Sequence, residues 1–315
     1  MLLARYNNYT LFKEGKQMKV TMIGMGAVGA VVGKRLNEYS GCQLTCLATK
    51  ERKLRYEKNG IFINGEKINF NFVEPENASP ADLIIIATKN LQLYQVMEEI
   101  KTSVGSQTII LSLLNGIQSE MELCKAFGEE KVLYGYIVNL SSTNLDGKIT
   151  CGHEGTIVFG ENNNERTQRI NLIEKLFNDA KVPCNIPEDI HLALWKKFLL
   201  NVSCNTISGL CRAPYVAFKS EVTKNLVRQC SDEVIKIANA KGIKLTPQMT
   251  EENIEMVANL NPDGMTSMFQ DMCAKRKTEN DYFCGTVVRL GNELGIPTPV
   301  CQLLHDLVEC SEILF

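Results

Sequence analysis

From Met18 onward, short apolar runs alternate with stretches of helical period. Residues 19–23 and 43–48 read as strands on either side of a helix over 27–37. Residues 83–87 (Leu-Ile-Ile-Ile-Ala) and 108–114 are almost unbroken apolar runs, the pattern of strands covered on both faces, as in a parallel sheet. Asn64-Gly65, between 61–63 and 67–72, is a hairpin signal, and Asp146-Gly147 is another. The first half is therefore expected to be a doubly wound α/β sheet with antiparallel additions near its end. After Pro187 the period changes. Stretches 189–212, 219–241, 264–278, 279–294 and 299–313 all read as helices, with Gly242 and Gly295 as stops and Pro297 and Pro299 flanking a start. The expected organisation is an appendage over 1–17, an α/β domain over 18–187 and an all-helical domain over 188–315.

Gly24-Met25-Gly26-Ala27-Val28-Gly29 follows the first strand and opens the first helix. In such a loop the first glycine allows the tight turn, the second lets backbone approach a pyrophosphate, and the third lets helix pack closely on strand. The helix N-terminus adds unpaired N–H groups and a positive dipole end. Its place in a strand–helix unit at the start of the domain makes this a dinucleotide-binding loop rather than a structural turn. NAD sites usually end the second strand with an acid that holds the ribose 2′-hydroxyl. Here the strand runs into Leu47-Ala48-Thr49-Lys50-Glu51-Arg52. Lys50 and Arg52 suit a 2′-phosphate, with Thr49 as a hydrogen-bond donor, which favours NADP(H). Glu51 leaves a ribose contact, and with it NAD, open.

The helical half carries a second constellation. Lys197, Asn201 and Asn205 are spaced to form one polar stripe on a helix otherwise made of Trp, Phe, Leu, Val and Cys. A solvated face normally carries several charges. One lysine followed by two carboxamides, which weaken a helix and demand partners when buried, reads instead as the lining of a cleft. Ser267 and Glu279, with Asp271 and Asp281 nearby, fall in expected helical segments rich in Met and Phe. A carboxylate close to Lys197 would hold its ammonium in place and keep it charged. A surface helix position is the plain alternative for Glu279.

The glycine loop, Thr88-Lys89 after the apolar strand, Leu114-Asn115-Gly116, Leu194-Trp195-Lys196-Lys197 with Asn201 and Asn205, Thr266-Ser267-Met268, and Thr278-Glu279 before Asp281-Tyr282 and Gly285 together resemble ketopantoate reductase, in order and over nearly the whole chain from Met18. The resemblance implies a Rossmann domain followed by an all-helical domain. It also implies NADPH-dependent reduction of 2-dehydropantoate (ketopantoate) to pantoate, a step of pantothenate and coenzyme A biosynthesis. Carried over by position, Lys197 resembles the family's catalytic lysine and Glu279 its carboxylate partner. Asn115 resembles the residue beside nicotinamide and substrate, Lys89 a cofactor-side contact, and Asn201, Asn205 and Ser267 substrate-binding positions. Thr49 stands beside the place of a 2′-phosphate-binding arginine in some members, and Cys284 where an Asn-Gly pair is common. Three other readings stay open: a reductase of another 2-keto acid, a 3-hydroxy-acid dehydrogenase, and a non-catalytic NADP-binding sensor. The dehydrogenases usually have a glycine-rich approach to their lysine, unlike His191-Leu192-Ala193-Leu194-Trp195 here, and a sensor would tolerate loss of Lys197 or Glu279.

Composition narrows the partners. A chain of 315 residues exceeds what one core comfortably supports, and 44% apolar with 22% charged residues is an ordinary globular balance. The formal charge of −2, without a block of like charge, gives no basic stripe for nucleic acid. Twelve cysteines contain no CxxC pair, and with only His153, His191 and His305 beside them no metal site is expected. Set mostly in apolar runs, those thiols behave as small hydrophobes, which fits a reducing cytoplasm. No apolar stretch approaches the ~20 residues that cross a bilayer, and 1–17 lacks the apolar core of a signal peptide. The expected partner is a small 2-keto acid, with no nucleic acid and no membrane; a homodimer stays open.

Overall fold

The computed structural model describes residues 17–145 and 147–315. The expected appendage before Gln17, and Asp146 of the second expected turn, lie outside the described residues. The chain separates into two compact units. One holds the described residues up to Leu114 with Gln118–Ile190; the other holds Asn115–Ile117 with His191–Phe315.

The first unit is built on one ten-stranded sheet. Its strands are β1 (Met18–Ile23), β2 (Cys42–Leu47), β3 (Ile61–Ile63), β4 (Glu66–Ile68), β5 (Phe72–Val73), β6 (Ala81–Ile86), β7 (Val104–Ser112), β8 (Val132–Leu145), β9 (Lys148–Gly160) and β10 (Cys184–Asn185). They lie in the order β4-β3-β9-β8-β7-β6-β1-β2-β5, with β10 on β9. The run β5-β2-β1-β6-β7-β8 is parallel throughout and has the doubly wound order of dinucleotide-binding sheets. The antiparallel additions are the pairs β8–β9 and β3–β4. At the β3–β4 turn Asn64 and Gly65 both take positive φ (49° and 85°), as a tight right-twisted hairpin requires.

The apolar run of β6 feeds two cores. Leu83 and Ile85 join one cluster and Ile84 and Ile86 the other, because successive side chains leave opposite faces of a strand. The first face is covered by α1 (Ala27–Glu38) through Val31, Val32 and Leu36, and the second by Leu93, Val96 and Leu123. Burying each such side chain stabilises by about 1.5–3 kcal/mol, so a polar residue at any of these positions breaks the layer. A further helix, α2 (Lys50–Asn59), follows β2.

The second unit is helical. Its elements are α3 (Ile190–Leu200, whose first residue belongs to the first unit), α4 (Thr206–Cys211), α5 (Glu221–Ala240), α6 (Pro247–Ala258), α7 (Ser267–Cys273), α8 (Cys284–Leu294) and α9 (Pro299–Glu312). Trp195, Phe198, Leu199 and Val202 pack in its core with Val227, Val234 and Val287. Three helical expectations need correction. The stretch 189–212 is interrupted by a π-helical turn, Asn201–Asn205. The stretch 264–278 shortens to α7, because Lys275 adopts φ 50° and the Arg276 N–H turns back to the Asp271 carbonyl, a helix stop that needs no glycine. Glu279 then lies outside any α-helix, just ahead of a single 3-10 turn, Asn280–Tyr282. Helix α6, started by Pro247, is missing from the sequence reading; a Thr-Pro start signal announces it.

Candidate active site

In the first unit the glycine loop joins β1 to α1, at the point where the strand order reverses between β1 and β6. Its three glycines have different reasons. Gly24 takes φ +96°, and a Cβ there would lie 2.5 Å from the Ala87 carbonyl carbon. A Cβ on Gly29 would lie 1.9 Å from the Gly24 carbonyl oxygen. Gly24 is demanded by its positive φ and the close approach of the chain after β6, and Gly29 by the packing of α1 on the Gly24 backbone. Gly26 is not: it caps α1 with φ −78°, and a Cβ would meet nothing within 4 Å. The chain leaves open space above the first free N–H groups of α1, where an anion is favoured. Thr88 Oγ1, beside Gly24, is buried and has no hydrogen-bond partner among the described residues. Met25 and Val28 face the core, and Ala27 is half-buried as the first residue of α1.

The end of β2 is organised by Thr49, which caps α2 by accepting the Arg52 N–H at 3.5 Å. Lys50 and Glu51 are exposed and Arg52 half-buried in the first turn of α2. Neither Lys50 nor Arg52 forms a salt bridge among the described residues, whereas the next basic residue, Lys53, reaches Glu74 at 3.6 Å. Lys89 is exposed and precedes a short 3-10 turn after β6.

In the second unit a relay of three side chains converges from distant parts of the chain. Lys197 Nζ donates to Asn115 Oδ1 at 2.8 Å, and Asn115 Nδ2 donates to Glu279 Oε2 at 3.0 Å. The amide is thereby oriented, its oxygen toward the ammonium and its nitrogen toward the carboxylate. Glu279 is only 5% exposed, so the surface alternative for it fails. Lys197 and Glu279 both bond Asn115, which the sequence places far away, after β7.

The Lys/Asn/Asn stripe continues through the π turn. Asn205 Nδ2 donates to Asn201 Oδ1 at 3.0 Å and to Ser267 Oγ at 3.4 Å. Asn201 is 4% exposed, and its Nδ2 has no partner among the described residues. An orphaned buried amide donor costs about 1–3 kcal/mol, so it marks a place prepared for an acceptor. Ser267 is exposed at the start of α7, after its cap Thr266. The other acids flagged nearby have structural work: Asp271 holds Arg276 at 2.9 Å and Asp281 holds Arg289 at 2.8 Å. Lys196 points elsewhere, to Glu252 at 2.5 Å on an exposed face. One group of cysteines also escaped the spacing argument: Cys230, Cys284 and Cys301 meet in the core of this unit.

Residues 20–164 match the family model described as ketopantoate reductase PanE/ApbA, and residues 189–312 the one described as its C-terminal part. The chain is 30% identical over 304 residues to the uncharacterized oxidoreductase YkpB of Bacillus subtilis, covering 94% of this chain and 99% of that protein. Among solved structures, 2-dehydropantoate 2-reductase from Geobacter metallireducens superposes with a TM-score of 0.83 at 27% identity, covering 93% of this chain and 100% of that one. A D-mandelate dehydrogenase solved with NADH and anilino(oxo)acetate shares the fold, with a TM-score of 0.86 at 22% identity and coverage of 94% and 98%. No helix among the described residues is long and apolar enough to cross a membrane.

Proposed function

The chain belongs to the ketopantoate reductase family of oxidoreductases, and on that premise we propose that it reduces ketopantoate to pantoate with NADPH. The observation that carries the reading is the Lys197–Asn115–Glu279 relay, because it gives a lysine a fixed direction. Bound NADPH supplies a hydride for the keto carbon. Lys197 then stabilises the charge growing on the keto oxygen and delivers the proton, a type of help worth ~10²–10⁴-fold. Asn115 aims the ammonium, and Glu279 anchors Asn115 and balances the positive charge. The unpaired Asn201 Nδ2 suits the distal hydroxyl of the substrate, with Asn205 and Ser267 beside it and Ser267 directed to the substrate carboxylate.

For the cofactor, the open space over Gly26 and the orphaned Thr88 hydroxyl fit a pyrophosphate held at the start of α1. Lys50 and Arg52 would hold a 2′-phosphate, Thr49 would fix the start of their helix, and Lys89 would stand on the cofactor side. Twelve free cysteines accord with a reducing cytoplasm as the site of action.

The test is oxidation of NADPH and NADH by purified protein against a panel of branched and aromatic 2-keto acids. Ketopantoate with NADPH should give the highest kcat/KM. Lys50→Ala with Arg52→Ala should weaken NADPH much more than NADH. Equal losses would remove these residues from the 2′-phosphate, and a preference for another keto acid would reassign the substrate.

A further inference from the structure

Three cysteines that nothing above employs converge behind the π turn. Cys230 comes from α5, Cys284 from the first position of α8 and Cys301 from the first turn of α9. Their sulfurs all lie within 4.8 Å of one another, with Cys230 and Cys301 at 3.8 Å. Two oxygens close the group. The Val202 carbonyl accepts from Cys230 Sγ at 3.7 Å and from Cys284 Sγ at 3.9 Å, and Thr206 Oγ1 lies 3.6 Å from Cys284 Sγ.

The Cys230–Cys301 separation and the two distances to the Val202 oxygen match edges of a small tetrahedron. With metal–sulfur bonds of about 2.3 Å, ligands at the tetrahedral angle stand about 3.8 Å apart. A sulfur and an oxygen bonded at about 2.3 and 2.1 Å stand about 3.6 Å apart. We propose that Cys230, Cys284 and Cys301, with the Val202 carbonyl or the Thr206 hydroxyl as fourth ligand, form a binding site for a divalent thiophilic cation of the zinc class. Soft thiolates select such ions. Binding converts three thiols to thiolates and releases three protons, leaving one net negative charge on the filled site, so affinity rises steeply with pH. The ligands stand on preformed helices. Glu233 accepts the Val300 and Cys301 N–H groups at 2.8 Å each and fixes the segment that carries Cys301. The site is structural: it ties α5, α8 and α9 to Val202, within the turn that presents Asn201 and Asn205.

Spacing hides the site in the sequence, since the three ligands are scattered over three helices and no CxxC is used. Surface thiols would give false binding, so the test begins with exposed Cys211, Cys273 and Cys310 changed to Ser. That reduced protein is titrated with Zn(II) against a chromophoric chelator and, in parallel, with Co(II) as the spectroscopic probe. The expected result is one ion per chain, intense thiolate-to-cobalt absorption with a tetrahedral d–d envelope, and affinity at least tenfold lower after Cys284→Ala. Should Cys284→Ala fail to fold, X-ray absorption at the zinc edge of the parent triple variant decides, with three sulfurs and one oxygen expected. Retention of less than one ion per chain, a shell with fewer than three sulfurs, or binding unchanged by Cys284→Ala would overturn the assignment and leave the trio as core filling.

Discussion

Gly26 and Gly29 sit three residues apart in one loop, yet their substitution by alanine should have opposite consequences. In Gly29→Ala the new methyl would begin 1.9 Å from the Gly24 carbonyl oxygen and 3.0 Å from its carbon. Backbone must move, because neither neighbour is a flexible side-chain end. Overpacking of this kind costs about 1–3 kcal/mol. In Gly26→Ala the methyl meets nothing within 4 Å, and φ −78° is open to any residue. Reduced freedom of the unfolded chain then contributes about 0.4–1 kcal/mol. Alanine is a poorer helix cap than glycine by a similar amount, so the two effects nearly cancel. On the proposed reading the binding consequence falls on Gly26, where a Cβ would enter the open space assigned to the phosphates. NADPH affinity should fall at least tenfold in Gly26→Ala, equivalent to about 1.4 kcal/mol. Urea melts and fluorescence titration with NADPH separate the two effects. If Gly26→Ala loses as much stability as Gly29→Ala, the steric reasoning is wrong. If it binds NADPH as tightly as the parent, the space over Gly26 is not the phosphate path.

Two further outcomes follow from the geometry. Glu279→Gln keeps an acceptor for Asn115 Nδ2 but removes the charge from a bond of 3.0 Å. Charged hydrogen bonds contribute about 1.5–3 kcal/mol against 0.5–1.5 for neutral ones, so kcat should fall about tenfold with the fold intact; an unchanged kcat would detach Glu279 from the relay. Alkaline stability is the second. Burial pushes the thiols of Cys42 and Cys204 up to about 12 from 9.0, so an unfolded chain ionises them while the folded one does not. Stability is therefore full below about pH 8.5, the range of a free thiol, and declines toward pH 12 by about 1.4 kcal/mol per pH unit for each group. Urea midpoints measured across that range should slope less steeply in Cys42→Ala than in the parent, and equal slopes would refute the linkage.

Much of the fold was legible because its signals are local. The two-faced run in β6 and the glycines of the loop each state their geometry within a few residues. The relay was legible only in part. Lys197 and the two asparagines announced a polar stripe, but nothing local marks Asn115 as a member of the helical unit, to which Asn115–Ile117 belongs. The π turn at Asn201–Asn205 was invisible for a similar reason: no residue propensity distinguishes it, and tertiary packing sets it. The cysteine trio left no spacing signal because helix packing, rather than a loop, brings the three sulfurs together.

The central claim concerns the lysine, and a paired kinetic comparison tests it most directly. Lys197 Nζ is directed by Asn115, whereas its neighbour Lys196 pairs with Glu252 on an exposed face. With purified protein, NADPH and ketopantoate, Lys197→Ala should lower kcat by ~10²-fold or more, as expected on losing an acid and oxyanion stabiliser. Its NADPH affinity should stay near that of the parent, and Lys196→Ala should be mild throughout. A crippled Lys196→Ala beside an active Lys197→Ala, or full activity in both, would contradict the assignment of Lys197 to the reduction.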